Sequence, residues 1–353
     1  MQSPVQNYFK PLTGLRFVAA LMVFFSHFPI AGLPQPLKDF IAQFQVGVPI
    51  FFVLSGYLIC SRYYDAASYN KQWVRKYNVN RFARIYPMFF LITLLNVLYK
   101  NESIKIFLLN ITLLKGFFTE FVFTGIGQGW SITTEECFYF LAPLIFMLLK
   151  RGINIIWLCL ISLAIGFVLV FIFKSPNFYG FFGDYGFMMM FTFFGIFVEF
   201  FTGVWLAIYL KERVRPKKNT SLLTYSGIGG LLLIIFALSV IAKNESGLSF
   251  ETMWIIVHNF LSPLPVMLLL TGLIYENTIV SRLFSGNVMQ LLGKSSYTFY
   301  LIHLGVFHKL FTTYVAENLL LLLVFISLLS IMLYKYVEEP LNLFVKKKLS
   351  IEE

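Results

Sequence analysis

Long apolar stretches recur along the sequence and constrain its fold more than any other feature. An α-helix needs about 20 predominantly apolar residues to cross a bilayer, and stretches near that length return ten times in 353 residues. Hydrophobic residues make up 58% of the chain and charged residues only 13%, which is too apolar for a soluble domain of this length. The sequence therefore predicts an all-α, polytopic membrane protein.

We predict one membrane domain, residues 1–353, with about ten transmembrane helices. Residues 104–118 are apolar but short and contain two lysines, so they are predicted to be interfacial or re-entrant. The first apolar run is too long for a signal peptide, so we expect it to stay in the mature protein. The predicted spans cover residues 12–31, 44–62, 83–99, 132–150, 153–173, 187–210, 221–241, 254–275, 295–313 and 318–337.

Basic residues are distributed unevenly between the predicted loops. If both termini are cytoplasmic, the inside segments contain 21 of the 28 Lys and Arg residues, including all nine arginines. The opposite orientation would translocate these short basic loops, against the positive-inside rule. The sequence therefore predicts cytoplasmic N- and C-termini, and it attributes the net charge of +11 to membrane topology rather than to a nucleic-acid partner.

The three cysteines give no sign of a metal site or a disulfide framework. Cys60, Cys137 and Cys159 are odd in number, lie in or beside predicted spans and lack metal-ligand spacing. We expect them to be packing residues and predict no metal.

An arginine and a histidine interrupt the first predicted span, in the stretch GLRFVAALMVFFSH (residues 14–27). Eleven steps of about 100° place Arg16 and His27 on one helix face, roughly 16 Å apart along the axis. An ionisable residue inside a span normally faces the bundle interior or a wet cavity and is functional by default. Two alternatives stay open, because an arginine can reach the headgroups and a histidine can hydrogen-bond a neighbouring helix.

Two adjacent glutamates enter the fourth predicted span from the outside, in GQGWSITTEECFYFLAPLIF (residues 127–146). With cytoplasmic termini, Glu135 and Glu136 are expected near the outer face, at the depth of His27. A carboxylate beside a histidine can fix its tautomer and suit it to act as a general base. An acidic pair at a helix start can also simply complement the helix dipole, and this alternative fits Glu135 better than Glu136.

A basic cluster precedes the third predicted span, in RKYNVNRFARIYP (residues 75–87). Arg81 and Arg84 are three residues apart, so on a helix they share a face and could clamp a phosphate. Basic anchoring at the cytoplasmic interface is the common alternative.

Two further ionisable residues lie inside predicted spans. His303 is expected near the middle of the ninth span and Glu199 within the sixth. Both are functional candidates, because an ionisable residue inside a span is costly and is functional by default. Cross-helix hydrogen bonding is the alternative for His303, and the role of Glu199 stays open.

Six stretches, read in order, resemble the acyltransferase 3 family of integral membrane acyl-CoA-dependent acyltransferases. The resemblance covers nearly the whole chain. It implies a ten-span bundle that moves an acyl group, most often acetyl, from cytoplasmic acyl-CoA to a hydroxyl of an extracytoplasmic or lipid-linked glycan. The stretches are LTGLRFVAALMVFFSH (12–27), GVPIFFVLSGYLI (47–59), RFARIYP (81–87), WSITTEECFYFLAP (130–143), LGKSSYTFYLIH (292–303) and YVEEPLNLF (336–344).

The resemblance also implies roles for individual positions. His27, Glu136 and Arg16 are expected to be catalytic, and Arg81 and Arg84 to bind acyl-CoA, which is a co-substrate rather than a bound cofactor. The site is expected to be supported by Trp130, Ser131, Glu135, Glu199 and His303. Some family members carry a soluble extracytoplasmic domain after the membrane part, but this sequence resembles the standalone form. A bacterial inner (plasma) membrane is the implied location.

One mechanism combines these expectations. The donor's phosphates would lie on Arg81 and Arg84, and its pantetheine arm, about 15–20 Å long, would reach the outer half of the bundle. There His27, oriented by Glu136, would act as the general base for the acceptor hydroxyl. A covalent acyl-histidine intermediate is the competing mechanism.

Two other classes of protein share these features. A membrane transporter or flippase for a glycan or a lipid-linked intermediate would also have apolar helices and buried charges, although neither an inverted repeat nor paired broken helices are evident. A catalytically inactive scaffold for polysaccharide assembly is the other alternative. No motif identifies the acceptor.

Overall fold

A computed structural model describes residues 9–174, 178–211, 219–243 and 248–349, and their regular structure is helical. The prediction of a polytopic helical membrane protein is confirmed. Of the ten predicted spans, 12–31 and 295–313 are not among the segments that are long and apolar enough to cross a membrane. In the described residues there are eight such segments: Gln35–Tyr63, Lys71–Lys100, Gly127–Lys150, Ile155–Phe173, Tyr185–Lys211, Leu222–Lys243, Phe250–Tyr275 and Leu319–Leu349.

The α-helices vary in length from seven to thirty residues. Two π-helical segments, Ile256–Leu261 and Tyr334–Glu338, connect consecutive helices. In chain order the α-helices are α1 (Lys10–His27), α2 (Gln35–Ala42), α3 (Gly47–Tyr63), α4 (Lys71–Lys100), α5 (Ile104–Ile111), α6 (Trp130–Lys150), α7 (Ile155–Phe173), α8 (Tyr185–Phe191), α9 (Phe193–Lys211), α10 (Leu222–Lys243), α11 (Leu248–Ile255), α12 (Pro263–Tyr275), α13 (Ile279–Ser285), α14 (Asn287–Ile302), α15 (Val306–Tyr314), α16 (Leu319–Leu333) and α17 (Glu339–Leu349).

The ninth predicted span, 295–313, is broken in the structure. α14 ends at Ile302 and α15 begins at Val306. Between them Gly305 has a φ of +88°, a left-handed conformation that favours glycine. The amide of Val306 donates to Oδ1 of Asn96 on α4 (3.1 Å), which satisfies one of the free N–H groups at the start of α15.

The predicted start of the third span lies too late in the sequence. We predicted a start at residue 83, but α4 begins at Lys71 and continues to Lys100. The side chain of Asn70 accepts a hydrogen bond from the amide of Trp73 (2.7 Å) and caps the helix. Hydropathy marks only where the apolar residues begin, so it misses the polar first turns of a helix that starts outside the apolar region.

The described chain forms two compact units. The first combines Met1–Ala66 with Val198–Lys294, and the second combines Ala67–Phe197 with Ser295–Glu353. α1, α3, α10 and α12 belong to the first unit, whereas α4, α6, α16 and α17 belong to the second. A single membrane domain over 1–353 stays a prediction.

Helices of the first unit approach one another closely at glycines. A Cβ at Gly47 of α3 would lie 2.4 Å from the carbonyl oxygen of Ala19 on α1, and one at Gly56 would lie 2.1 Å from that of Phe200 on α9. Small residues allow membrane helices to pack backbone against backbone. α3 is therefore in direct contact with both α1 and α9.

Buried tyrosines link the helices of the second unit. The hydroxyl of Tyr297 on α14 donates to the carbonyl of Ile85 on α4 (2.8 Å), and that of Tyr77 on α4 donates to the carbonyl of Tyr139 on α6 (2.9 Å). These side chains join α4 to α14 and to α6.

Candidate active site

Arg16 and His27 lie on one continuous helix, α1, in the first unit. His27 is the last residue of α1 and its side chain is exposed, whereas Arg16 is partly buried. A Cβ at Gly14 would lie 2.3 Å from the carbonyl oxygen of Phe284 on α13, so α1 packs closely against α13 two residues before Arg16. The helical spacing predicted for the pair therefore matches the structure.

Glu199, also in the first unit, is fully buried on α9. Among the described residues, neither of its carboxyl oxygens accepts a hydrogen bond. It lies next to Phe200, the contact point of α9 with Gly56 of α3. A polar group buried in this way is a functional candidate.

Arg84 forms an ion pair with a residue that the sequence analysis did not single out. Its Nη1 lies 3.0 Å from Oε1 of Glu338, which is 2% exposed. The hydroxyl of Thr298 donates to the other oxygen of that carboxylate. Glu338 therefore orients Arg84, and the guanidinium, with five N–H donors, retains capacity for a further acceptor.

Arg81 and Glu135 are connected through one tyrosine. The guanidinium carbon of Arg81 lies 5.6 Å from the centre of the Tyr139 ring, and the Tyr139 hydroxyl donates to Oε1 of Glu135 (2.5 Å). Glu136 lies within electrostatic range of both Arg81 and Glu135. The second unit thus brings the predicted arginines and glutamates into one charged cluster inside its helices.

This cluster brings together two pairs of residues that we expected at different depths. Arg81 and Arg84 were expected at the inner end of the third span, and Glu135 and Glu136 near the outer face. In the structure Arg81 packs on Tyr139, the residue one turn after Glu135 on α6. The early start of α4 explains the difference, since both arginines lie well inside that helix rather than before it.

The remaining predicted residues of the second unit lie around the start of α6. Trp130, its first residue, packs edge-on against Phe191, with the ring centres 5.1 Å apart. The Ser131 hydroxyl lies 2.8 Å from that of Tyr300, and Nδ1 of His303 lies 2.7 Å from the carbonyl oxygen of Tyr300. Ser131 and His303 are therefore joined through one residue of α14.

A buried lysine, Lys115, also lies near the start of α6, and we did not predict it as a site residue. Lys115 has no exposed surface, and its Nζ donates to the carbonyl oxygens of Thr124 (2.8 Å) and Ile126. Burial lowers the pKa of Lys115 to about 7, with a further lowering from Lys100 and an opposing effect of Glu102. Through these two hydrogen bonds the ammonium group fixes the loop that leads into α6. From the sequence, Lys115 indicates only an interfacial segment, because its spacing matches no motif.

The described residues contain no group of three or more His, Cys, Asp or Glu side chains that could hold a metal ion. A shallow groove near the start of α4 is better suited to an anionic ligand. It includes Lys71 and Arg75 beside Tyr69 and Asn78. The free N–H groups at a helix start add positive potential there.

Comparison with known proteins relates the chain to acetyltransferases. SACOL0978, a candidate O-acetyltransferase of Staphylococcus aureus strain COL, is 25% identical over 95% of this chain and 57% of its own length. O-acetyltransferase OatA of Staphylococcus aureus strain NCTC 8325 is 25% identical over 97% of this chain and 58% of its own length. ORF330, a candidate acetyltransferase of Acidianus two-tailed virus, is 27% identical, with coverages of 85% and 83%.

The chain spans less than two thirds of the length of the two Staphylococcus relatives. No solved structure matches it. The model of the acyltransferase 3 family, described as an acyltransferase domain, matches residues 10–336, from the start of α1 to the π-helical segment before α17. This match includes all the predicted site residues, and the chain therefore belongs to the acyltransferase 3 family.

Proposed function

We propose that the protein is a membrane O-acyltransferase that moves an acyl group, most simply acetyl, from cytoplasmic acyl-CoA to a hydroxyl of an extracytoplasmic or lipid-linked glycan. The family match over residues 10–336 carries this proposal. The names of the relatives support acetyl as the group transferred. We also propose that the protein resides in a bacterial inner membrane with both termini cytoplasmic, as the distribution of basic residues favours.

The donor binds along α4. The groove at Lys71 and Arg75 offers cations and a helix N-terminus for the phosphates of acyl-CoA. Arg84 lies nine residues further along the helix, about 14 Å at 1.5 Å per residue, a distance within the reach of a pantetheine arm. Arg81 and Arg84 contact the pantetheine arm rather than the phosphates of the donor. Glu338 already balances part of the charge of Arg84, so this arginine is less suited to a phosphate than Lys71 and Arg75 are.

His27 acts as the general base at the end of α1. The acceptor oxygen attacks the thioester carbon as its proton passes to the imidazole. The carbon–sulfur bond then breaks, a carbon–oxygen ester bond forms, and the proton moves from the imidazole to the leaving thiolate to give CoA. Exposure of the His27 side chain supports this role, since an acceptor must reach it.

The other charged residues orient the reacting groups. A catalytic role is proposed for Glu136, and its neighbour Glu135 accepts a hydrogen bond from Tyr139, on whose ring Arg81 packs. A catalytic role is also proposed for Arg16, which shares α1 with His27. A supporting role is proposed for four further residues, each of which helps to position the helix on which it lies or its neighbour. They are Trp130, Ser131, His303 and Glu199.

The first test uses purified protein in nanodiscs with acetyl-CoA. Binding and the slow release of CoA thiol are measured for wild type, His27→Ala and the double variant Arg81→Ala/Arg84→Ala, with Arg151→Ala as a surface control. We expect His27→Ala to bind without turnover, the double variant to lose binding and the control to match wild type. If the wild-type protein does not bind acetyl-CoA, the proposed function is wrong.

A further inference from the structure

A buried oxygen at the start of α6 is left without a hydrogen-bond donor. Gln128 lies in the short turn before α6 and is 4% exposed. Its Nε2 donates to the carbonyl oxygens of Tyr300 (2.8 Å) and Leu301 (3.0 Å). Because both partners can only accept, the orientation of the amide is fixed. Its Oε1 therefore points away from them, and it accepts no hydrogen bond within the described part of the chain.

The hydroxyl groups of Ser131 and Tyr300, which contact the same turn, are paired. The Ser131 hydroxyl donates to the main-chain oxygen of Gln128 (3.0 Å), and the hydroxyls of Ser131 and Tyr300 are 2.8 Å apart. Buried polar atoms in folded proteins nearly always have a partner, so an exception in a satisfied network needs an explanation. A ligand that donates a hydrogen bond provides one.

His303 contacts one of the carbonyl oxygens that hold Gln128. Its Nδ1 and Nε2 of Gln128 both contact the carbonyl oxygen of Tyr300. That oxygen can only accept, so Nδ1 carries the proton, and in the neutral imidazole Nε2 is a hydrogen-bond acceptor. The side chains of Gln128 and His303 thus converge on one main-chain oxygen, and both hold the end of α14 beside Gln128. A hydroxyl group complements the acceptor that Gln128 presents.

We propose that Gln128 forms part of a binding subsite for the acceptor, in which its Oε1 receives a hydrogen bond from a hydroxyl of the sugar. This inference rests on the proposed function and adds the place at which the acceptor binds. The start of α6 is the end of that helix predicted to face the outside, where an extracytoplasmic glycan arrives.

Two substitutions separate the oxygen from the rest of the amide. Gln128→Lys retains N–H donors for the carbonyls of Tyr300 and Leu301 but has no acceptor, and Gln128→Met removes both functions. Thr93→Val is the matched control, because the Thr93 hydroxyl on α4 is another fully buried group with no partner in the described structure. A general effect of removing a buried polar atom would appear in all three variants.

The experiment uses native membranes that contain the full chain and its own glycan, incubated with radiolabelled acetyl-CoA. Base-labile label in the glycan measures transfer, and free labelled acetate measures hydrolysis. We expect the ratio of transfer to hydrolysis to fall about tenfold in both Gln128 variants, with acetyl-CoA binding and hydrolysis unchanged. Thr93→Val should keep the wild-type ratio.

Three results would overturn the subsite. An unchanged ratio in both Gln128 variants would mean that the oxygen holds only a water molecule. A parallel fall of transfer, hydrolysis and acetyl-CoA binding would show that Gln128 is structural or binds the donor. A wild-type protein that fails to bind acetyl-CoA would overturn the proposed function as well as the subsite. This failure can be told apart from the others because it is seen in the wild-type protein itself.

Discussion

Nη1 of Arg84 lies 3.0 Å from Oε1 of Glu338, and Glu338 is 2% exposed. Removal of one partner of a buried ion pair leaves the other charge uncompensated, at a typical cost of about 3–5 kcal/mol. Arg84 is 28% exposed, so water screens part of this loss and we expect a smaller effect. The pair also fixes the direction of the guanidinium.

We therefore expect Glu338→Gln to lower the unfolding temperature and to weaken acetyl-CoA binding several-fold. Differential scanning fluorimetry and isothermal titration on the purified protein measure both effects. Glu339→Gln changes the adjacent, exposed carboxylate and serves as the control. Acetyl-CoA binding that is equal in Glu338→Gln and wild type would show that Glu338 does not position Arg84 for the donor.

Lys115 gives a pH dependence of stability. Burial lowers its pKa to about 7 in the folded protein, whereas an unfolded lysine titrates near 10.4. Between these values the unfolded chain binds more protons than the folded chain, so the free energy of unfolding rises as the pH increases from about 7 to 10. In Lys115→Met this contribution is absent.

Unfolding temperatures at pH 7 and pH 9 check this prediction. The wild-type value should rise relative to that of Lys115→Met as the pH increases. Lys105→Met, a substitution on the nearby helix α5 that leaves Lys115 in place, should follow wild type. Parallel temperature changes in wild type and Lys115→Met would contradict the account of Lys115.

Glu276 stabilises the start of α10. Its carboxylate accepts hydrogen bonds from the Thr220 hydroxyl, the Leu223 amide and both the amide and hydroxyl of Thr224. Burial by itself raises the pKa of Glu276, but the four hydrogen bonds outweigh it and hold the pKa below the usual value. The stabilisation is therefore present above the unfolded pKa, near 4.3, and is lost as the pH falls through the folded pKa.

Glu276→Gln should reduce the free energy of unfolding by roughly 1.5–3 kcal/mol at pH 7, since hydrogen bonds to a charged group are lost. The difference from wild type should shrink as the pH is lowered below about 4. Denaturant unfolding in detergent at several pH values measures it. A difference that stays constant across the whole pH range would rule out the proposed role of the ionised carboxylate.

Two glycines of α10 test the close packing in the first unit. A Cβ at Gly227 would lie 2.4 Å from the amide nitrogen of Leu269 on α12, whereas a Cβ at Gly229 meets nothing within 4 Å. We expect Gly227→Ala to be destabilising because the backbones must separate. Gly229→Ala should be neutral or stabilising by up to about 1 kcal/mol, as alanine favours a helix. Equal unfolding temperatures for the two variants would contradict this packing.

The sequence alone predicted the parts of the site that depend on spacing along one helix. Arg16 and His27 do share α1, and the helical class follows from the recurring apolar stretches. The contacts of Arg84 with Glu338 and of Arg81 with Tyr139 were not predictable in this way. Those partners are far apart along the chain, and helical periodicity says nothing about which helices become neighbours.

The polar positions that were missed share a physical cause. Gln128, Lys115 and Tyr300 are held by main-chain carbonyls or single hydroxyls, so their roles depend on local backbone geometry. A sequence pattern reports residue type and spacing but not which carbonyl lacks a donor. The break after α14 was missed for the same reason, since the Asn96 contact that fixes it joins distant parts of the chain.

We propose that the protein carries an acetyl group from cytoplasmic acetyl-CoA to a glycan hydroxyl with His27 as the base. Membrane vesicles with the cytoplasmic face outward, supplied with radiolabelled acetyl-CoA, allow this transfer to be measured. We predict base-labile label in the glycan for wild type and a fall of at least about 100-fold for His27→Gln, with acetyl-CoA binding retained. Equal labelling by wild type and His27→Gln would contradict the account.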